Sequence, residues 1–312
     1  MRKQLTTVIV TILMCAFNAR AGKYAAEFLS TGVGARALAM GGAFVAVADD
    51  ASATYWNPAG MTQVTAPQLL LMHATRFSGL LQTDVVNFIY PGKKYVIGIN
   101  YMRSGIDNIP YTSKRGVNGR PIIDKYVSDY EEAAFLSFSA AISERWSMGA
   151  NLKALRQAVG DNSSLGFGFD VGMLYRVNAN WSAAATLQDI TGTFVYWDTG
   201  HKDTKAPAAS WGLSYKKSFS FLRSALCLSV QQSIRFEGKT PGSRMNIGDL
   251  ANSDFYGGAE FSIFRALALR LGSYADSPTF GAGVKFKMLQ LDYAFMSYDL
   301  GAAHRISATF QF

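Results

Sequence analysis

Apolar and small or polar residues alternate with a period of two through most of this chain, and no other feature limits its folding as much. In Leu165–Arg176 the odd positions Leu165, Phe167, Phe169, Val171, Met173 and Tyr175 are all apolar. Between them stand Gly166, Gly168, Asp170, Gly172, Leu174 and Arg176. The pattern recurs at Tyr95, Ile97, Ile99 and Tyr101, at Trp146 to Ala154, at Trp211, Leu213 and Tyr215, at Leu289 to Phe295 and at Ile306 to Phe312. Side chains two apart share a face of a strand, so each segment has one apolar and one polar or small face. Outside the first 21 residues no run of 18 apolar residues occurs, which excludes membrane-spanning helices.

Fourteen such segments begin near Pro67, Thr83, Lys94, Tyr130, Arg145, Leu165, Asn180, Ala206, Arg223, Ser253, Arg265, Thr279, Leu289 and Ala303. Most are about ten residues long, the length of a tilted transmembrane strand. Their connections alternate between short and long. The short ones are Pro91-Gly92-Lys93, Ser143-Glu144, Val177 to Ala179 and the breaks at Phe264 and Met288. The long ones include Ser104–Asp129, Ile190–Lys205 and Arg235–Asn252. Transmembrane barrels have tight turns on the periplasmic rim and long loops outside, whereas a soluble β-sandwich has no reason to sort loops by parity. The expected fold is therefore all-β, a transmembrane antiparallel β-barrel of about 14 strands spanning 65–312. Trp146 and Trp181 open strands directly after short turns, as an interfacial aromatic girdle requires. Phe312 ends the chain as a terminal-strand signal for the barrel insertion machinery.

The front of the chain does not alternate. Arg2 and Lys3, the apolar Leu5–Phe17 and Ala19-Arg20-Ala21 make residues 1–21 a secretory signal peptide with its cleavage site. Cleavage leaves Cys227 as the sole cysteine, so no internal disulfide forms. It also leaves 27 basic and 22 acidic residues, a net charge of +5. These charges are scattered rather than clustered, which argues against nucleic acid as a partner. Residues 22–64 are rich in Ala and Gly and suit packing in a confined space. Asn57 suits a helix cap with Pro58 at the first helical position, and Gly41-Gly42 permits a bend and close backbone approach. Such a segment at the periplasmic mouth is expected to fold inward as a hatch.

The string Gly32–Gly60, GVGARALAMGGAFVAVADDASATYWNPAG, resembles the N-terminal signature of the PorV/PorQ family, which is related to FadL-like outer-membrane transport proteins. The turn Asn57-Pro58-Ala59 is similar to the one in their hatch. The resemblance implies an outer-membrane barrel closed by an N-terminal hatch. FadL-like members pass hydrophobic small molecules; PorV-like members serve type IX protein secretion. The expected partners are thus outer-membrane lipid and either a hydrophobic small molecule or secretion-system proteins.

Chemical motifs are scarce. Gly32, Gly34 and Ala37 echo a dinucleotide fingerprint without its βαβ context. Asp49-Asp50 carries hard oxygens, yet two adjacent acids more often make a helix cap or a solvated turn. His73, His201 and His304 form no ligand pair, and G-x-S-x-G, H-E-x-x-H and C-x-x-C are absent. Neither a cofactor nor catalysis is expected. If the bulky face meets lipid, the lumen is lined by Gly166, Gly168, Gly172, Ser210, Gly212, Ser229, Gln231, Gly281 and Gly283, with few charges and a narrow, largely apolar passage. Transport of a hydrophobic small molecule is the first functional expectation. A secretion adaptor is the second, favoured by the polar, basic stretch Asp107–Asp129.

Overall fold

The computed structural model describes residues 25–116, 118–237, 245–247, 250–275, 277–298 and 301–312. The expected signal peptide, residues 22–24 of the front segment and part of the loop 235–252 lie outside the described residues. Fourteen strand positions form one closed antiparallel barrel. They are β1 (Gln68–Arg76), β2 (Leu81–Pro91), β3 (Val96–Arg115), β4 (Pro121–Ala141), β5 (Trp146–Val159), β6 (Asn162–Arg176), β7 (Trp181–Gln188, resuming as Thr193–Trp197) and β8 (Lys202–Lys205, resuming as Ala208–Phe219). The circuit continues with β9 (Ser224–Arg235), β10 (Ala251–Ile263), β11 (Leu267–Tyr274), β12 (Ser277–Phe286), β13 (Leu289–Tyr298) and β14 (Gly301–Gln311). Each strand pairs with its neighbours in sequence. β1 closes the ring against β14, from Gln68 opposite Gln311 to Thr75 opposite His304. A short strand, Met245–Ile247, folds back onto Ala251–Ser253 at the outer end of β10.

The alternation becomes a division between outside and inside. Outward Leu165 and Phe167 are 58% and 62% exposed, while inward Ser164 is 3% exposed and Leu174 is fully buried. An apolar face that meets no protein is the lipid-facing wall of a transmembrane barrel. Among the described residues no helix is long and apolar enough to cross a membrane. At the short-turn rim Trp146 packs on Tyr175 with centroids 4.4 Å apart, and Trp181 on Tyr215 at 4.9 Å. All four rings face outward or sideways at that rim, the girdle position.

Two expected loops are instead strand. Most of Ser104–Asp129 belongs to β3 and β4. β2 accompanies β3 only to Gly105 and β5 accompanies β4 only to Asp129, so residues 106–128 stand above the barrel as a two-stranded ribbon. Register shifts near Ile106–Ile109 and Tyr111–Lys114 break the period of two, which hides these strands in the sequence. Asp124 accepts from the Ser113 amide at 2.7 Å, and Lys125 pairs with Asp161 at 2.8 Å. Within Ile190–Lys205, a bulge at Asp189–Gly192 interrupts β7, with φ of 53° and 75° at its two ends.

Residues 25–66 hold two 3-10 helices, Glu27–Ser30 and Pro58–Gln63, and two short α-helices, α1 (Ala35–Ala39) and α2 (Ala53–Trp56). Their apolar side chains form the core together with inward residues of the wall: Leu38, Met40, Phe44, Tyr55 and Met61 cluster with Leu70, Ile89, Met102, Phe135 and Met296. The core thus lies between this segment and the inner face of a single sheet.

The topology fixes which turns share a rim. Cysteine at Gly116 or Asp161 is expected to react with an impermeant maleimide on intact cells, and cysteine at Lys93 or Ala179 only after lysis. Equal labelling at all four sites would refute the strand count.

Candidate functional site

The N-terminal segment has little regular structure, so most of its backbone groups need partners from elsewhere. Inward polar side chains of the strands supply them. Gln231 Oε1 accepts from the amides of Phe44 (3.1 Å) and Val45 (3.0 Å). Ser214 Oγ donates to the Ala46 carbonyl and Thr279 Oγ1 to that of Ala39. The small lumen-facing residues foreseen in the sequence leave the room. Gly41, at φ 65°, lies so close to β10 and β11 that a Cβ there would stand 2.5 Å from the Gly257 carbonyl oxygen and 2.6 Å from the Ser273 amide nitrogen. Gly42, at φ 68°, completes the bend beside Tyr274.

Asn57 and Pro58 occupy the expected positions at the start of a helix, here a 3-10 helix. The Asn57 side-chain oxygen accepts from the Ala59 amide at 3.0 Å, and its Nδ2 donates to the Val45 carbonyl at 2.9 Å and that of Met173 at 3.3 Å. Ala59 is fully buried. A Cβ on Gly172 of β6 would collide with the Asn57 side-chain oxygen, so strand and turn fit only as glycine against asparagine.

Asp49 and Asp50 depart from the expected solvated turn. Asp50 retains a local capping role, accepting from the Ser52 amide at 2.9 Å. Both acids also share the Arg36 guanidinium, Asp49 at 2.6 Å and Asp50 at 3.0 Å. Arg36 reaches across to Glu260 of β10 with two bonds, of 2.8 and 2.9 Å, and Asp49 also receives Lys216 of β8 at 2.8 Å. Arg270 extends the network from Glu260 (2.6 Å) to Asp292 (2.8 Å). Burial alone would raise the Asp49 carboxyl, but Arg36 and Lys216 outweigh it and hold that group well below the usual carboxylate range. This network roofs a cavity of about 370 Å³ on the short-turn side, rimmed by Arg265 and Lys285.

A second buried charge group was not anticipated. Lys153 of β5 lies between Asp170 of β6, at 2.6 Å, and Asp189, with which it also pairs; Thr193 donates to Asp189 as well. These three charged side chains are 3% exposed. The largely apolar, sparsely charged lumen expected from the sequence is therefore wrong. Parity was the usable signal: Lys153, Arg270 and Asp292 stand at inward positions between outward apolar residues.

This group lines one side of a cavity of about 90 Å³, together with Lys205, Arg235 and Glu237, and Tyr55, Trp56, Phe135, Tyr256 and Tyr274 line the other. Tyr55 stacks on Phe135 with centroids 6.4 Å apart and meets Trp56 edge-on at 5.0 Å, while Tyr256 and Tyr274 pair at 5.1 Å. Burial pushes the Tyr55 hydroxyl well above its usual range, so it stays protonated and donates to the Leu29 carbonyl at 2.5 Å. A wider cavity of about 620 Å³ opens on the long-loop side beside Phe28, Phe77 and Leu81. The two share Ser30, Arg235 and Tyr274 in their walls. The inner space is smaller than the ~150 Å³ cavity that takes benzene in another protein, so a ligand the size of an aromatic ring needs side chains to move.

A closed antiparallel barrel with an apolar, lipid-facing wall belongs to the class of transmembrane β-barrels. The chain belongs to the uncharacterised protein family UPF0164, whose model matches residues 7–164. No curated protein matches it. Among solved structures, the fold is similar to the toluene transporter TbuX of Ralstonia pickettii, at 14% identity and a TM-score of 0.60, with 90% of this chain and 98% of that one covered. It is similar to the CymD monoaromatic hydrocarbon channel at 14% identity and a TM-score of 0.61, with the same coverage. A Pseudomonas aeruginosa FadL homologue aligns at 13% identity and a TM-score of 0.51, covering 88% of this chain and 96% of its own.

Replacing Arg36 by Gln removes the cation shared by three carboxylates. Breaking one partner of a buried pair costs about 3–5 kcal/mol. The barrel is expected to remain heat-modifiable while residues 25–66 become open to protease. In the unaltered protein the Asp49 contribution is complete above the unfolded carboxylate pKa of about 3.9 and is lost only as pH falls through the lower folded value. Protease protection should therefore persist at pH 5; loss of it there, with the barrel intact, would contradict the depressed carboxyl.

Proposed function

We propose that this protein is an outer-membrane barrel that binds and passes a hydrophobic small molecule, with residues 22–64 as a hatch folded into its lumen. Residues 1–21 serve as the cleaved export signal, and Phe312 serves the barrel insertion machinery. The observation that carries the reading is the cavity walled by Tyr55, Trp56, Phe135, Tyr256 and Tyr274, where the N-terminal segment meets the wall. Aromatic faces bury large apolar areas and suit an apolar ligand, while Lys153, Asp170, Asp189, Lys205, Arg235 and Glu237 give the rest of the same cavity fixed polar groups. The hydrocarbon named in the descriptions of TbuX and CymD suggests a monoaromatic compound as the first ligand to try. The charge network around Arg36 would then hold the exit closed until the segment shifts. The protein has no catalytic role in this reading and needs no cofactor.

A PorV-like accessory role in type IX secretion, with membership of the PorV/PorQ family, is the second reading. The ribbon of residues 106–128 favours it: it projects from the barrel and exposes Ile122, Ile123 and Tyr126 beside Lys114, Arg115 and Arg120. A surface of that kind suits an extracellular protein partner better than a small hydrocarbon.

Two measurements separate these readings. Toluene binding to the purified barrel is expected to weaken about tenfold or more in Tyr55→Ala and Phe135→Ala; unchanged binding would remove the cavity from the transport reading. Deleting residues 22–64 should leave a folded barrel and raise conductance in planar bilayers, with Asn57→Ala doing so more weakly, since losing a cap costs about 0.5–2 kcal/mol. Equal conductance with and without the segment would place it outside the pore and move the secretion reading ahead.

A further inference from the structure

The lipid-facing wall is not uniformly apolar. A tilted strand crosses the hydrocarbon in about 9–11 residues. Counted from the short-turn rim, the outward side chains of β5 to β13 include no histidine or charged residue through the tenth position except Lys217, third from that rim. The neighbouring strands differ. His73 is the sixth residue of β1, Asp84 and Arg103 are the eighth of β2 and β3, and His304 is the eighth of β14. All four face outward and are exposed. His73 bonds Asp84 at 2.7 Å, with side chains 52% and 62% exposed. Arg103, 44% exposed, reaches Glu132 at 3.8 Å, and Glu132 stands tenth on β4 where the band ends. Charged side chains facing hydrocarbon are disfavoured, and where they occur they mark pairing or function.

We propose that this patch is where two copies of the chain meet side by side in the membrane, Asp84 of each copy facing Arg103 of the partner subunit. Barrels inserted in one orientation can pair symmetrically only about a two-fold axis along the membrane normal. Such an axis joins positions at equal height on opposite sides of itself. Asp84 and Arg103 meet that condition: they are cross-strand partners on adjacent strands, equally far from the rim, and of opposite charge. An axis between β2 and β3 therefore forms the same ion pair twice. Val86, Phe88, Ile99 and Tyr101, exposed on the same two strands nearer the rim, supply the apolar part of the contact. An anionic lipid headgroup would satisfy Arg103 but be repelled by Asp84 beside it. A second copy offers each an opposite charge in addition to its partners within the chain, His73 for Asp84, and Glu132 and the Tyr130 ring for Arg103.

The test uses full-length protein in outer membranes, with its own cysteines replaced by Ser. Val86→Cys is expected to give an oxidatively cross-linked homodimer, and Val230→Cys, on the opposite wall and 59% exposed, is expected to give none. Asp84→Arg alone and Arg103→Asp alone should each reduce the Val86→Cys dimer at least tenfold, and the two together should restore it. Heat-modifiable migration of every variant shows that the barrel is folded. A Val86→Cys protein that stays monomeric, that links only to a different polypeptide, or whose dimer ignores both single reversals would overturn the proposal. So would lipopolysaccharide or phospholipid that copurifies with the monomer and is lost in Arg103→Asp.

Discussion

A chain that crosses lipid as strands must pair every backbone amide and carbonyl within itself, because hydrocarbon offers no substitute partner. Everything else in this structure follows from meeting that demand by closure. The pairing of β1 with β14 removes both sheet edges, and the wall then needs no disulfide; Cys227 is a free, buried thiol in β9. Once the sheet is a cylinder, the alternation of side chains sorts residues between lipid and lumen. The interior then becomes a second problem, since a single curved sheet cannot fill its own centre.

The N-terminal segment solves that problem at the cost of carrying irregular backbone into a buried space. Gln231, Ser214 and Thr279 answer its unpaired groups directly. The buried charges are answered in clusters. Arg36 is surrounded by three carboxylates, Glu260 by two guanidinium groups, and Lys153 by two aspartates. Buried ion pairs are weak sources of net stability, yet a misplaced segment here would leave one of these charges buried without its partner. They fix where the segment sits.

The wall was legible because period-two patterning is local: a strand announces itself within a short stretch of adjacent residues, as Leu165–Arg176 does. Asn57, Pro58, Gly41 and Gly42 were legible for the same reason, since caps and bends are written in adjacent residues. The ribbon of residues 106–128 was hidden by bulges that reset the alternation, so its strands read as loop. The partners of Asp49 and Asp50 were hidden because Arg36 lies 13 and 14 residues away and Lys216 comes from a distant strand. Lys153 with Asp170 and Asp189 was hidden although each sequence position was plain, because only the registers of β5 with β6 and of β6 with β7 bring them together.

The placement of α1 bears on how such a molecule can assemble. The amide of Gly34, just before this helix, donates to the Met72 sulfur on β1, and that of Ala35 donates to Ser307 on β14. The helix start therefore straddles the seam at which the ring closes, and that seam joins the two ends of the strand order, Gln68 to Gln311. Contacts so distant along a chain form slowly, since the loop entropy is lost before any bond is gained. A segment tethered to β1 that bonds both seam strands ties the two ends of the strand order together from within. In the finished fold it lies across the inside of the closure like a splint, holding the first strand and the last from one side.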